Sequence, residues 1–77
     1  MNIEDKVLTI NNNEYIVIDT IDLDNKKYAY LVNTANELDS MFKEIIINEE
    51  EMRIESIDKD LFTNKIYPLF IEKFKNY

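Results

Sequence analysis

The sequence predicts an α+β domain, an antiparallel β-meander of four to five strands with one C-terminal helix packed on a face. Two patterns carry that expectation. Five β-branched or aromatic runs, at residues 6–10, 14–23, 26–33, 41–47 and 52–57, are separated by polar breaks. After them the apolar period changes, and Phe62, Ile66, Leu69, Phe70 and Phe74 recur at helical spacing. Strands followed by a helix imply a sheet with the helix laid across it. No internal repeat, linker or low-complexity stretch divides residues 1–77, so a single domain is expected, with its sheet over about 6–57 and its helix over about 65–76.

KVLTI (6–10) is a short β-type run ending at Asn11-Asn12-Asn13. The chain has no glycine, and asparagine is the residue best able to take the left-handed backbone of a tight turn in its place. In EYIVIDTIDL (14–23), Ile16 and Ile18 fall on one face and Tyr15 and Val17 on the other. Ile21 and Leu23 then continue out of phase with Ile16 and Ile18, which predicts a β-bulge near Asp19. DNK (24–26) is a hairpin turn into KKYAYLVN (26–33), where Tyr28, Tyr30 and Val32 share a face opposite Ala29 and Leu31. NTANELDS (33–40) is a polar loop, and NEEE joins MFKEIII (41–47) to MRIESI (52–57).

Pro68 governs where the helix begins. In a helix interior proline deletes a hydrogen bond and clashes with the preceding turn, at about 3 kcal/mol. In the first turn its missing N–H costs nothing. The main helix is therefore expected to start near Lys65–Ile66 and run to about Asn76, with Asp58 to Phe62 as a short separate turn. Lys73 and Lys75 then suit the negative end of the helix dipole.

Composition limits function more sharply than it limits fold. There is no cysteine and no histidine, and Ser40 and Ser56 have no evident base partner, so nucleophilic catalysis is poorly served. Glycine-rich phosphate loops are excluded, and so are zinc sites built from Cys or His. Asp19, Asp22 and Asp24 lie close together, yet DTIDLDN lacks the spacing and glycine of a calcium loop, and such acids on a strand serve equally as a solvated edge. The expectation is a non-catalytic protein without metal or cofactor.

Charge is uneven. Residues 1–60 carry fifteen acids against six bases, and residues 61–77 one acid, Glu72, against three lysines. A net charge of −7 repels nucleic-acid phosphates and anionic membranes and favours partners with basic surfaces. Tyr28 and Tyr30 are not surrounded by the Lys and Arg that sheet-based RNA binders use, and are expected to be core. The N-terminal stretch MNIEDKVLTI has no basic leader, and no apolar run approaches the roughly 20 residues of a bilayer span, so a cytoplasmic location is expected. The candidate partner-binding residues are Asp19, Asp22, Asp24, Glu37, Asp39, Glu49, Glu50, Glu51 and Glu55. Self-association through the sheet is a further expectation.

The order KVLTINNNEYIVIDTIDLDNKKYAYLV, then EIII, then an amphipathic C-terminal stretch resembles the YrzB-like family of short, acidic bacterial proteins. The matching residues are Ile18-Asp19-Thr20, at a Leu-Asp-Thr-like corner, and Tyr28-Ala29-Tyr30-Leu31, in a Tyr-Ala-containing strand. The chain departs from that pattern in its asparagine turns and in Pro68. The resemblance implies the fold and an adaptor or regulatory role, and brings no enzymatic activity with it. In composition the chain is also similar to phage-encoded anti-defence proteins, including anti-CRISPR and anti-restriction inhibitors. Its abundance of Asn, Ile and Lys, residues with AT-rich codons, points to a low-GC bacterium or a phage or mobile element living in one. That similarity implies an inhibitor that sets carboxylates against a basic nucleic-acid-binding groove.

Overall fold

The computed structural model describes residue 3, residues 5–49 and residues 51–75. Five strands form one antiparallel sheet in sequence order: β1 (Val7–Ile10), β2 (Asn13–Leu23), β3 (Lys26–Asn33), β4 (Ser40–Ile47) and β5 (Met52–Glu55). A helical segment follows from Lys59 to Phe74. The α+β meander with a C-terminal helix is therefore the architecture of the chain.

The first two hairpins close through Asn11-Asn12 and Asp24-Asn25, and all four residues have positive φ: 51° and 68°, then 53° and 66°. Two-residue hairpin loops favour such paired left-handed residues because their twist matches that of the strands. Asn and Asp take this conformation where other side chains would clash. The loop from Thr34 to Asp39 folds on itself through asparagine side chains. Asn33 Oδ1 accepts from the Ala35 N–H at 2.8 Å, and Asn36 Oδ1 accepts from the Leu38 N–H at 3.1 Å.

The expected bulge is present. Val17 pairs with Leu31 and Asp19 with Tyr30, which leaves Ile18 as the extra residue. This insertion resets the side-chain phase of β2. Before it, Tyr15 and Val17 point to one side of the sheet. After it, Asp19 and Ile21 share a side with Tyr30 and Tyr28.

Two cores result, one on each side. On the first, Tyr15, Val17, Ala29, Leu31 and Ile45 pack with Ile3, and no described helix lies over them. Leu8 and Ile10 at one sheet edge and Met52 and Ile54 at the other pack on this same cluster, so the sheet curls over its own face. On the second side, Tyr28, Ile66 and Phe70 are joined by Ile21, Leu23, Tyr30, Phe42, Ile57, Phe62 and Phe74. Phe42 is the hub of this aromatic layer, with ring centroids 4.8 Å from Tyr30, 4.9 Å from Phe70 and 5.1 Å from Phe62. Tyr28 and Tyr30 are thus core residues, as expected.

The helix begins earlier than Lys65. Asp58, at φ −54° and ψ 135°, is the N-cap, and its carboxylate accepts from the Leu61 N–H at 3.1 Å. From there helical structure runs unbroken through α1 (Lys59–Leu61), a π-helical turn (Phe62–Ile66) and α2 (Tyr67–Phe74). The π turn explains how Pro68 is tolerated inside it. Tyr67 N–H reaches back five residues to the Phe62 carbonyl, and the widened turn absorbs the proline that would clash in a regular helix. Thr63 and Asn64, whose carbonyls lose their usual donors there, are exposed and meet solvent. Leu69, expected in the apolar stripe, faces outward at 40% exposure, because Phe62, Ile66, Phe70 and Phe74 at strict four-residue spacing fill the buried face. The expected terminus at Asn76 lies outside the described residues.

Candidate functional site

In an antiparallel meander β2 and β4 run in the same direction. The turns that follow them, at 24–25 and 48–51, therefore lie at one end of the sheet, and the 34–39 loop lies at the other. The acidic candidates divide accordingly.

Asp22, Asp24, Glu49 and Glu51 are exposed and lie at the first end. Asp22 sits opposite Lys27 across β2 and β3, with the Lys27 ammonium 3.1 Å from its carboxylate. Both hairpin tips are short: the Leu23–Lys26 pair closes the first, and bonds between Asn48 and Glu51 hold the second. Asn48 Oδ1 accepts from the Glu51 N–H at 2.9 Å, and the Asn48 N–H donates to the Glu51 carbonyl at 3.0 Å. Glu50 lies outside the described residues. Between the tips runs an open groove of about 560 Å³, walled by Asp22, Lys26 and Lys27 on one side and by Glu44 to Ile47 on the other.

Glu55 is exposed on the edge strand and stands directly opposite Glu44 across β4 and β5. Glu44 joins the acidic candidates only through the structure. Its place follows from strand register, which pairs it with both Glu55 and Tyr28 and which the residue order does not display. Burial raises the Tyr28 hydroxyl pKa above the ordinary tyrosine value, and the negative charges of Glu44 and Asp24 push it the same way.

Asp39, half-buried, and Asp19, buried, are both engaged by bonds within the fold. Asp39 closes the 34–39 loop. Its carboxylate accepts from the Tyr15 hydroxyl at 2.7 Å and from the Asn33 amide at 3.1 Å. These two hydrogen bonds, Tyr15 first, hold the Asp39 pKa below the ordinary carboxylate range. The bond to Asp39 is also the main reason that the Tyr15 pKa is raised, with burial next. Glu37 is exposed in the same loop.

Asp19, only 1% exposed, turns toward the helix from the bulge. Its Oδ1 accepts from the Thr20 N–H at 2.8 Å and forms an ion pair with the Lys73 ammonium. Lys73 Nζ also donates to the Thr20 carbonyl at 2.6 Å. The carboxylate that the residue order placed beside Asp22 and Asp24 is thus spent on fastening α2 to the sheet.

The Tyr15–Asp39 pair makes a pH prediction with a definite sign. A lowered folded pKa means that the Asp39 contribution to stability is present above the unfolded carboxylate range and is lost as pH falls through the folded value. The raised pKa values of Tyr15 and Tyr28 mean the opposite, with stability lost as pH rises from the ordinary tyrosine range through their folded values. Melting temperature followed against pH should fall at both extremes. In Tyr15→Phe, Asp39 loses its first hydrogen bond and its folded pKa rises toward the ordinary carboxylate value, so the acid limb should become shallower. An acid limb unchanged in that variant would rule out the pair as its source.

Among the described residues no group of three or more His, Cys, Asp or Glu side chains is arranged to hold a metal ion. Nor is any described helix long and apolar enough to cross a membrane. No protein-family model, no curated protein and no solved structure matches the chain.

Proposed function

We propose that this chain is a non-catalytic, acidic protein-binding inhibitor, carried by a phage or mobile element, that occupies a basic nucleic-acid-binding surface of a host defence enzyme. The observation that carries this reading is the opposition of Glu44 and Glu55. Like charges directly across a strand pair are destabilising, where an opposite-charge pair would contribute roughly 0.2–1 kcal/mol. Keeping them in a small domain makes sense where the negative surface itself is useful. Asp22 lines the groove with Glu44, and Asp24, Glu49 and Glu51 are exposed on the turns at the same end of the sheet. Carboxylates presented on short, bonded turns suit the Lys and Arg side chains of a groove made for phosphates.

A second reading, an adaptor or regulatory module, is favoured by Tyr67 and Leu69, which lie on the outer side of α2 at 45% and 40% exposure. Apolar contact there would be insensitive to salt, whereas acidic contact would not.

Both readings are tested by affinity capture from a low-GC bacterial lysate, washed at low and high salt, beside an Asp24→Lys/Glu49→Lys/Glu51→Lys variant. The inhibitor reading expects a nucleic-acid enzyme that is retained at low salt, released at high salt and displaced by duplex DNA. Three exposed ion pairs at up to about 1 kcal/mol each imply affinity for that enzyme weaker by roughly ten- to a hundredfold in the variant. Retention that withstands both salt and charge reversal, and is lost in Tyr67→Lys/Leu69→Lys, would overturn it in favour of the adaptor.

A further inference from the structure

The two edges of the sheet are guarded differently. β5 (MRIE) carries Arg53 and Glu55 within four residues. β1 (VLTI) carries no charge and no proline, and is paired on one side only. Charged residues and proline are the usual means by which an edge strand is kept from pairing with another chain.

The backbone of β1 shows which groups are open. Val17 N–H donates to the Lys6 carbonyl at 2.9 Å, so Lys6 bonds toward β2. Alternation along an antiparallel strand then turns Leu8 and Ile10 toward β2 as well, and turns the N–H and C=O groups of Val7 and Thr9 out of the sheet. No other described segment pairs with that side of β1. Val7 is 50% exposed and Thr9 is exposed, while Leu8 and Ile10 lie half-buried at the rim of the curled core.

We propose that β1 is the interface of a two-fold homodimer, in which β1 of two copies pairs antiparallel and the two five-stranded sheets join into one of ten. The occupant is a second copy because the edge is complementary to itself. With Leu8 facing Leu8 of the partner subunit across the two-fold axis, Val7 and Thr9 of each copy meet Thr9 and Val7 of the other. All the outward groups of both residues are then satisfied, in four backbone hydrogen bonds.

Moving the axis to Thr9 would close two of those bonds. Val7 would then face Asn11, whose φ of 51° takes it out of the strand. In the four-bond register the two Leu8 side chains extend each rim across the joint, and each Ile10 lies along the aliphatic stem of Lys6 from the other copy. No acid lies between Lys6 and Ile10, so pairing brings no carboxylate against its mate. The contact is short, which places the dimer in the weak, concentration-dependent class that buries under about 1,200 Å².

The absence of cysteine in the chain makes the test clean. Sedimentation equilibrium of the full chain over a wide concentration range should show the mass rising from 9.3 kDa toward twice that value. Val7→Lys places a charge on the exposed edge, and Thr9→Pro removes an outward N–H without touching the bonds to β2. Both should keep the wild-type circular dichroism and remain monomeric.

Under mild oxidation Leu8→Cys should cross-link, since directly opposed residues without mutual backbone bonds lie at about 4.5 Å between Cα atoms, within disulfide range. Thr9→Cys, which faces Val7 of the partner subunit, should not. A wild-type chain that stays monomeric at the highest soluble concentration would overturn the proposal. So would a dimer indifferent to Val7→Lys and Thr9→Pro, or equal cross-linking at the two cysteine positions.

Discussion

Lys73→Met is expected to destabilise the domain by about 2–3 kcal/mol, read as a shift in the urea midpoint at unchanged slope. Breaking a buried ion pair by removing one partner costs about 3–5 kcal/mol, because the remaining charge stays desolvated. The lower value is taken because the Lys73 side chain is 38% exposed and already partly hydrated, whereas Asp19 is at 1%. For a chain of 77 residues the total stability is roughly 4–12 kcal/mol, so the loss is a large share of it. The physical cause is checked by the double variant Asp19→Asn/Lys73→Met. An amide oxygen can still accept from the Thr20 N–H, and no buried charge is left, so much of the loss should be recovered. A single-variant cost below about 0.5 kcal/mol, in the range of ordinary surface substitutions, would show that the pair does not hold the helix.

Phe70→Ala is the larger effect, expected at about 3–5 kcal/mol. Phe70 is fully buried, and its ring lies 4.9 Å from Phe42 and 5.9 Å from Phe74. Truncation removes the transfer free energy of the ring and opens a cavity beneath the helix, where the aromatic layer has little room to collapse. The neighbouring Leu69→Ala, at a position 40% exposed, should change stability by about 0.5 kcal/mol or less. Equal effects at the two positions would contradict the assignment of the buried helix face. In Phe70→Ala the helix should also lose amide-exchange protection ahead of β2 and β3, since Phe70 and Ile66 are its two fully buried anchors on the sheet.

Local patterns account for much of the fold. The five strands follow from runs of β-branched and aromatic residues, each wide enough for only one strand. The bulge was visible because Ile16 and Ile18 fall out of phase with Ile21 and Leu23, and only an inserted residue restores the alternation. The extra residue is Ile18, in the expected place near Asp19. The left-handed turns were legible because a chain without glycine has to use asparagine or aspartate for them.

The helix start was misplaced for an identifiable reason. A first-turn position is one way for a helix to hold Pro68, and a π turn is a second that leaves no periodic mark over five residues. Asp58 did carry the cap signal, a short acceptor just ahead of the helical run.

The acidic surface was legible only as a list of residues. Asp19 and Asp22 are three positions apart, yet one is enclosed by the helix and the other lies in solvent beside Lys27. The bulge at Ile18, just before Asp19, turns Asp19 to the helix side, and regular alternation puts Asp22 on the other face. A lysine fifty-four residues after Asp19 closes over it. Glu44 and Glu55 are eleven residues apart and stand face to face.

By itself the sequence determined the class of fold, the order of its strands, and the exclusion of chemistry that needs cysteine, histidine or glycine-rich loops. Those follow from side-chain type and short-range period, which are local properties. The tertiary structure alone decided which carboxylates are buried, which oppose one another, where the helix is fastened and which sheet edge lies open. Those depend on register and on contacts between distant segments, where a shift of one residue moves a side chain from one face of the sheet to the other.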